Sequence, residues 1–92
     1  MSTQRLEKLG LLELKKQQAF ALAVEIHGLR DQINNATASH RPIGDLSLDE
    51  LSVLMQRLQA QTMSHRQLVD ELRSLADDLG LDMPNTDVRR KR

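Results

Sequence analysis

The sequence predicts an all-α fold, an antiparallel two-helix coiled-coil hairpin that dimerises into a four-helix bundle. Three observations predict it. Apolar residues recur at spacings of three and four along two long stretches, the heptad pattern of helices packed lengthwise. A short segment with Pro42 and Gly44 separates the two stretches. The 92 residues include one aromatic, Phe20, and no cysteine, a composition that suits a Leu/Ile/Ala seam better than a compact globule. Residues 1–80 are read as the hairpin, with helices over about 3–38 and 47–79 and a turn at 39–46. Residues 81–92 are read as a flexible tail with a basic end.

The first helix can be capped by Ser2 or Thr3. Gly10 costs about 1 kcal/mol relative to alanine in a helix interior, so its first two turns are expected to fray. From there the seam is Leu12, Ala19, Leu22, Ile26, Leu29, Ile33 and Ala36, with Lys15 at a seam position. A lysine there lays its stem on the seam and keeps its ammonium in water. Residues 19–24 (AFALAV) are apolar on every side of the helix, and such a helix is expected to be covered on every side. Phe20 and Val24 point away from the seam, and Leu11 and Leu14 also stray from it. These four residues, Leu11, Leu14, Phe20 and Val24, are the candidate protein interface. The bland alternative is that the alanines are simply good helix formers on a solvated face.

Pro42 disfavours helical geometry at Arg41, and Gly44 permits a tight turn. Ser47 followed by Glu50 is a capping box that opens the second helix, with Leu46 placed to staple onto Leu51. Its seam runs Leu51, Leu54, Leu58, Gln61, His65, Leu68, Leu72, Leu75 and Leu79, and Gly80 is the stop. Gln61 and His65 form a polar layer in that seam. Polar seam residues usually fix register or oligomer state, and the functional alternative for His65 is a pH switch. Met55 and Met63 are read as packing beside the seam rather than as an adaptable binding surface. Folding the chain about its turn sets Lys16 opposite Glu71, Lys8 near Asp78, and Arg30 near Arg57. Exposed pairs of this kind contribute only about 0–1 kcal/mol each, so they choose orientation more than they stabilise.

Charge excludes some functions and weakens others. Thirteen basic residues cancel thirteen acidic ones, so no global field draws the chain to nucleic acid or membrane. The basic end, Arg89, Arg90, Lys91 and Arg92, is a candidate phosphate contact, weak without an aromatic to stack bases. No apolar run approaches the roughly 20 residues of a membrane span, and no signal-peptide core is present, so a cytoplasmic protein is expected. Without cysteine, and with His27 and His40 unpartnered at ligand spacing, no metal site is expected. There is no phosphate loop and no nucleophile beside a base, so no enzyme, cofactor or small-molecule substrate is expected. The expected function is non-catalytic protein–protein interaction, as an adaptor, chaperone or regulatory subunit that also forms a homodimer. The alternative is a small dimeric nucleic-acid-binding regulator using the basic tail.

The opening stretch, with Leu6, Leu9, Leu12 and Leu14 followed by Lys15, Lys16, Ala19, Leu22, Ala23 and Leu29, resembles the start of the FliJ and YscO group. These are coiled-coil stalk proteins of bacterial flagellar and type III secretion export. The resemblance covers about a third of the chain and carries over no functional residue. It implies a cytoplasmic antiparallel hairpin that contacts an export ATPase or gate. Members of that group are generally longer than this chain.

Overall fold

Ser47 and Gly80 bound the better-defined of two long helices. In the structure, a computed structural model that describes residues 3–87, helix α1 covers Thr3–Ala36 and helix α2 covers Leu48–Leu79. The Ser47 hydroxyl accepts a hydrogen bond from the Glu50 N–H at 3.2 Å, which satisfies one of the orphan donors of the first turn. At the other end Gly80 takes φ 67°, in the left-handed region. Gly80 N–H donates to the Asp77 carbonyl and Leu81 N–H to the Ala76 carbonyl, a Schellman closure. Ser2, one of the two candidate caps for α1, lies outside the described residues.

Helix α1 stops two residues short of the expected end. Thr37 folds its hydroxyl back onto the Ile33 carbonyl at 2.7 Å, and Arg41 Nη1 donates to the Asn35 carbonyl at 3.2 Å. Both add a side-chain donor to carbonyls of the last turn that also accept a backbone N–H, from Thr37 at Ile33 and from Ala38 at Asn35. The connection differs from expectation in one respect. It is a 3-10 turn, Ile43–Asp45, entered through Pro42 at φ −61° and ψ 146°. Gly80 is the only glycine with positive φ among the described residues, so Gly44 does not use its special freedom here. Leu46, the expected staple, is still 44% exposed.

The helices pack as an antiparallel hairpin, 64 × 27 × 15 Å overall. Every expected seam residue is buried or half-buried, from Leu12 to Ala36 on α1 and from Leu51 to Leu79 on α2. Ala19 and Leu72 are wholly buried, and Ala23, Ala76 and Leu79 nearly so. The register is offset by one residue from the expected one. Lys15, not Lys16, pairs with Glu71, while Lys16 approaches Glu13 within its own helix at 3.9 Å. Lys8 meets Asp78 at 3.6 Å as expected. The seam explains the offset: Lys15 occupies a seam position and is half-buried, so its ammonium emerges on the flank where Glu71 stands.

The hairpin leaves much of its surface in water. A globular protein of this mass would expose about 5,400 Å², whereas this chain exposes 7137 Å². Its radius of gyration is 17.8 Å, against about 12 Å for a compact domain of the same length. Two helices share one seam, and most of the remaining faces stay uncovered.

Candidate protein-binding surface

The two sides of the seam are closed by different devices, and both devices act in the same half of the molecule. On one side lie Arg57, Glu71 and Asp78, which stand at equivalent heptad positions of α2. Near the termini this side is closed by Lys8–Asp78 and Lys15–Glu71. The Lys15 ammonium, donating to Glu71, holds that carboxyl below the usual carboxylate range, aided by its own charge and by Gln67 and opposed by partial burial. Toward the turn the same side opens into a groove of about 440 Å³, lined by Glu25, Gly28, Leu29, Gln32, Arg57 and Gln61. The expected Arg30–Arg57 clash is absent from this groove: Arg57 lies with Glu25 and Gln32, and Arg30 is exposed.

On the other side the closing device is the chain after Gly80. Residues 81–87, read from the sequence as the start of a flexible tail, run back along the hairpin. The Thr86 carbonyl and the Asp87 carboxylate can only accept hydrogen bonds, so the histidine Nε2–H groups donate. His65 donates to Thr86 O and His27 to Asp87 Oδ1, each at 2.8 Å. One histidine comes from each helix, so the segment bridges the pair. Six extended residues from Gly80 to Thr86 span about 20 Å. Fifteen helical residues from Gly80 back to His65 span about 22 Å. The segment is therefore almost fully extended and antiparallel to α2. Its side chains alternate from Met83 onward, with Pro84 and Thr86 half-buried and Met83, Asn85 and Asp87 exposed, while Leu81 and Asp82 are both exposed.

Beyond His65 nothing among the described residues covers this side. A groove of about 660 Å³ along α2 is lined by Ser52, Met55, Gln56, Leu58, Gln59, Thr62, Met63 and Arg66. Met55 and Met63 are 53% and 63% exposed, so the expectation that they pack beside the seam is corrected. Leu48, at the heptad position of Met55, is 72% exposed, and Ile43 and Val53 are also more than half exposed elsewhere in the turn half. Helical spacing alone does not distinguish exposed methionines from methionines packed beside a seam. The signal available was the i, i+7 spacing of Leu48 and Met55, a second apolar stripe outside the main seam.

The four residues assigned to an interface from sequence separate into two groups. Leu11, Leu14 and Val24 are exposed on the back of α1, Val24 the most. Phe20 is half-buried. It stands seven residues before His27 on the same flank of α1, along the path of the returning segment. The polar seam pair also separates. Gln61 lines the open groove, and His65 holds the segment in addition to its seam position. His27, which the sequence reading set aside, is the second anchor, its side chain 15% exposed. Its Nδ1 is buried without a hydrogen-bond partner. Arg89, Arg90, Lys91 and Arg92, the candidate phosphate contact, lie outside the described residues.

Among the described residues no helix is long and apolar enough to cross a membrane. Comparison with family models, curated proteins and solved structures gives no match.

Proposed function

We propose that the chain is a non-catalytic protein–protein interaction module, an adaptor, chaperone or regulatory subunit that presents the turn half of its hairpin to a partner. The observation that carries this reading is the set of apolar side chains left in water there: Leu48, Val53, Met55 and Met63, each more than half exposed. Burying a side chain of this type contributes about 1.5–3 kcal/mol, so a partner covering several gains useful affinity. Methionines suit such a surface because their unbranched side chains adapt to the partner. A second copy, making a four-helix bundle, is one such partner. An export-machinery partner, as the FliJ and YscO resemblance implies, is another.

Sedimentation at several concentrations, together with pull-down from the native host, tests the reading. Wild type is compared with Met55→Ser/Met63→Ser and with Phe20→Ser/Val24→Ser. The proposal expects the methionine pair to abolish self-association or partner capture while helicity is kept. Loss only with the Phe20/Val24 pair would move the surface to α1. Retention by both variants would overturn the proposal. Binding that falls steeply with salt would instead indicate phosphate contact through the basic end.

A further inference from the structure

We propose that residues 81–87 are an intramolecular strap: they occupy the terminal half of the chain's own protein-binding groove and must leave before a partner can lie along its full length. This rests on the interaction-module reading above and adds its regulation.

Leu48, Met55, Thr62, Val69 and Ala76 are spaced by seven along one flank of α2. Their surroundings change steadily along the helix. Leu48 is 72% exposed and Met55 53%, Thr62 and Val69 are half-buried, and Ala76 is 2% exposed. On the facing flank of α1 only the middle is covered: Phe20 and His27 are half-buried, while Leu6, 68% exposed, and Glu13 at the start and Asn34 near the turn are exposed. Helix pairing alone treats heptad-equivalent residues alike. On α2 the coverage follows residues 81–87, whose hydrogen bonds reach His65 and, across on α1, His27. Going back seven helical residues from His27, about 10.5 Å, brings the strap to about Pro84 at the level of Phe20. Both residues are half-buried.

The strap is anchored by histidine hydrogen bonds at Thr86 and Asp87, and Leu81 and Met83 are 42% and 38% exposed. An apolar partner surface entering over Met55 and Met63 and continuing toward Val69 and Phe20 would meet the strap at His65. Releasing the strap joins the open groove to the covered one.

The absence of cysteine makes thiol labelling a clean probe. Val69→Cys and Met55→Cys are made separately in the full chain, then combined with His65→Ala/Asp87→Ala, and circular dichroism verifies the helices. In the intact chain Val69→Cys should label roughly tenfold more slowly than Met55→Cys, as local opening would gate it. Removing the anchors should bring it within about twofold of Met55→Cys. Phe20→Cys should repeat the pattern from the α1 side, which covers the case in which Val69→Cys misfolds. Equal labelling of the two sites in the intact chain would overturn the proposal, as would slow labelling that persists without the anchors. Labelling needs no partner, so this result stands or falls independently of whether the methionine surface binds one.

Discussion

Val69 and Met55 occupy the same heptad position of α2, two heptads apart, yet Val69 is half-buried and Met55 is 53% exposed. The difference runs through the whole hairpin. In the terminal half, ion pairs close one side, the returning segment closes the other, and Ala19, Leu72 and Ala76 are 0–2% exposed. In the turn half both sides open into grooves, and the best-buried residues, Leu29 and Leu54, retain 9% and 7%. Heptad spacing specifies which residues meet across the seam. It does not specify what covers the flanks, and in a two-helix protein the flanks decide where the surface is finished and where it is available.

The largest effect should come from emptying the core of each half. Leu72→Ala removes a wholly buried side chain from the terminal half and should cost about 2–5 kcal/mol, enough to unfold a marginal chain. Leu54→Ala in the turn half should cost less, because open grooves let the site relax. Denaturant unfolding of both variants checks the order; equal costs would mean the halves are packed alike.

Next come the helix ends. Gly80→Ala forces a side chain into the left-handed region at φ 67° and should cost about 1 kcal/mol. It should also misdirect the strap and speed labelling of Val69→Cys. Ser47→Ala should cost a similar amount, about 1 kcal/mol, through the lost Glu50 N–H contact. It should leave the strap alone, so labelling separates two changes that calorimetry would not.

A gain of nearly the same size is available in the turn half. Gly28 lines the open groove, and a methyl group placed there meets nothing within 4 Å. Gly28→Ala should therefore raise stability by up to about 1 kcal/mol. If thermal unfolding shows a loss instead, something covers that groove.

The smallest effect is electrostatic. Lys15 holds the Glu71 carboxyl below its ordinary value in the folded chain. A group with a depressed folded pKa stabilises above its unfolded pKa and loses that contribution as pH falls through the folded value. Wild type should thus exceed Glu71→Gln in stability near neutrality, and the gap should close as pH drops below the ordinary carboxylate range. Melting curves across that range check it. A gap independent of pH would mean the pair does not act through charge.

Much of the scaffold is legible from residues alone. Ser47, Gly80 and the two seams fix helix type, ends and pairing, because caps and heptads are local chemistry. The Lys8–Asp78 pair follows from folding the chain about its turn. The one-residue slip from Lys16 to Lys15 shows the limit of that arithmetic, since a seam lysine was expected to reach water rather than a carboxylate. The strap was not legible for a physical reason. Its apolar residues, Leu81 and Met83, point outward while Pro84 and Thr86 point in, so hydropathy reads the reverse of its coverage. Its anchors, His27 and His65, lie on different helices and gain meaning only when the segment returns between them. Phe20, expected at an interface, is half-buried in the single chain, and Val24, expected beside it, is 59% exposed.

Hydrogen exchange on the full-length chain, resolved to segments of each helix, tests the central comparison most directly. Exchange reads local opening, which buried contacts on both flanks suppress. The amides of residues 15–24 and 68–78 should exchange slowest, and those of residues 29–36 and 50–58 measurably faster. Uniform protection along both helices, or faster exchange in residues 68–78 than in 50–58, would contradict a hairpin finished at one half and open at the other.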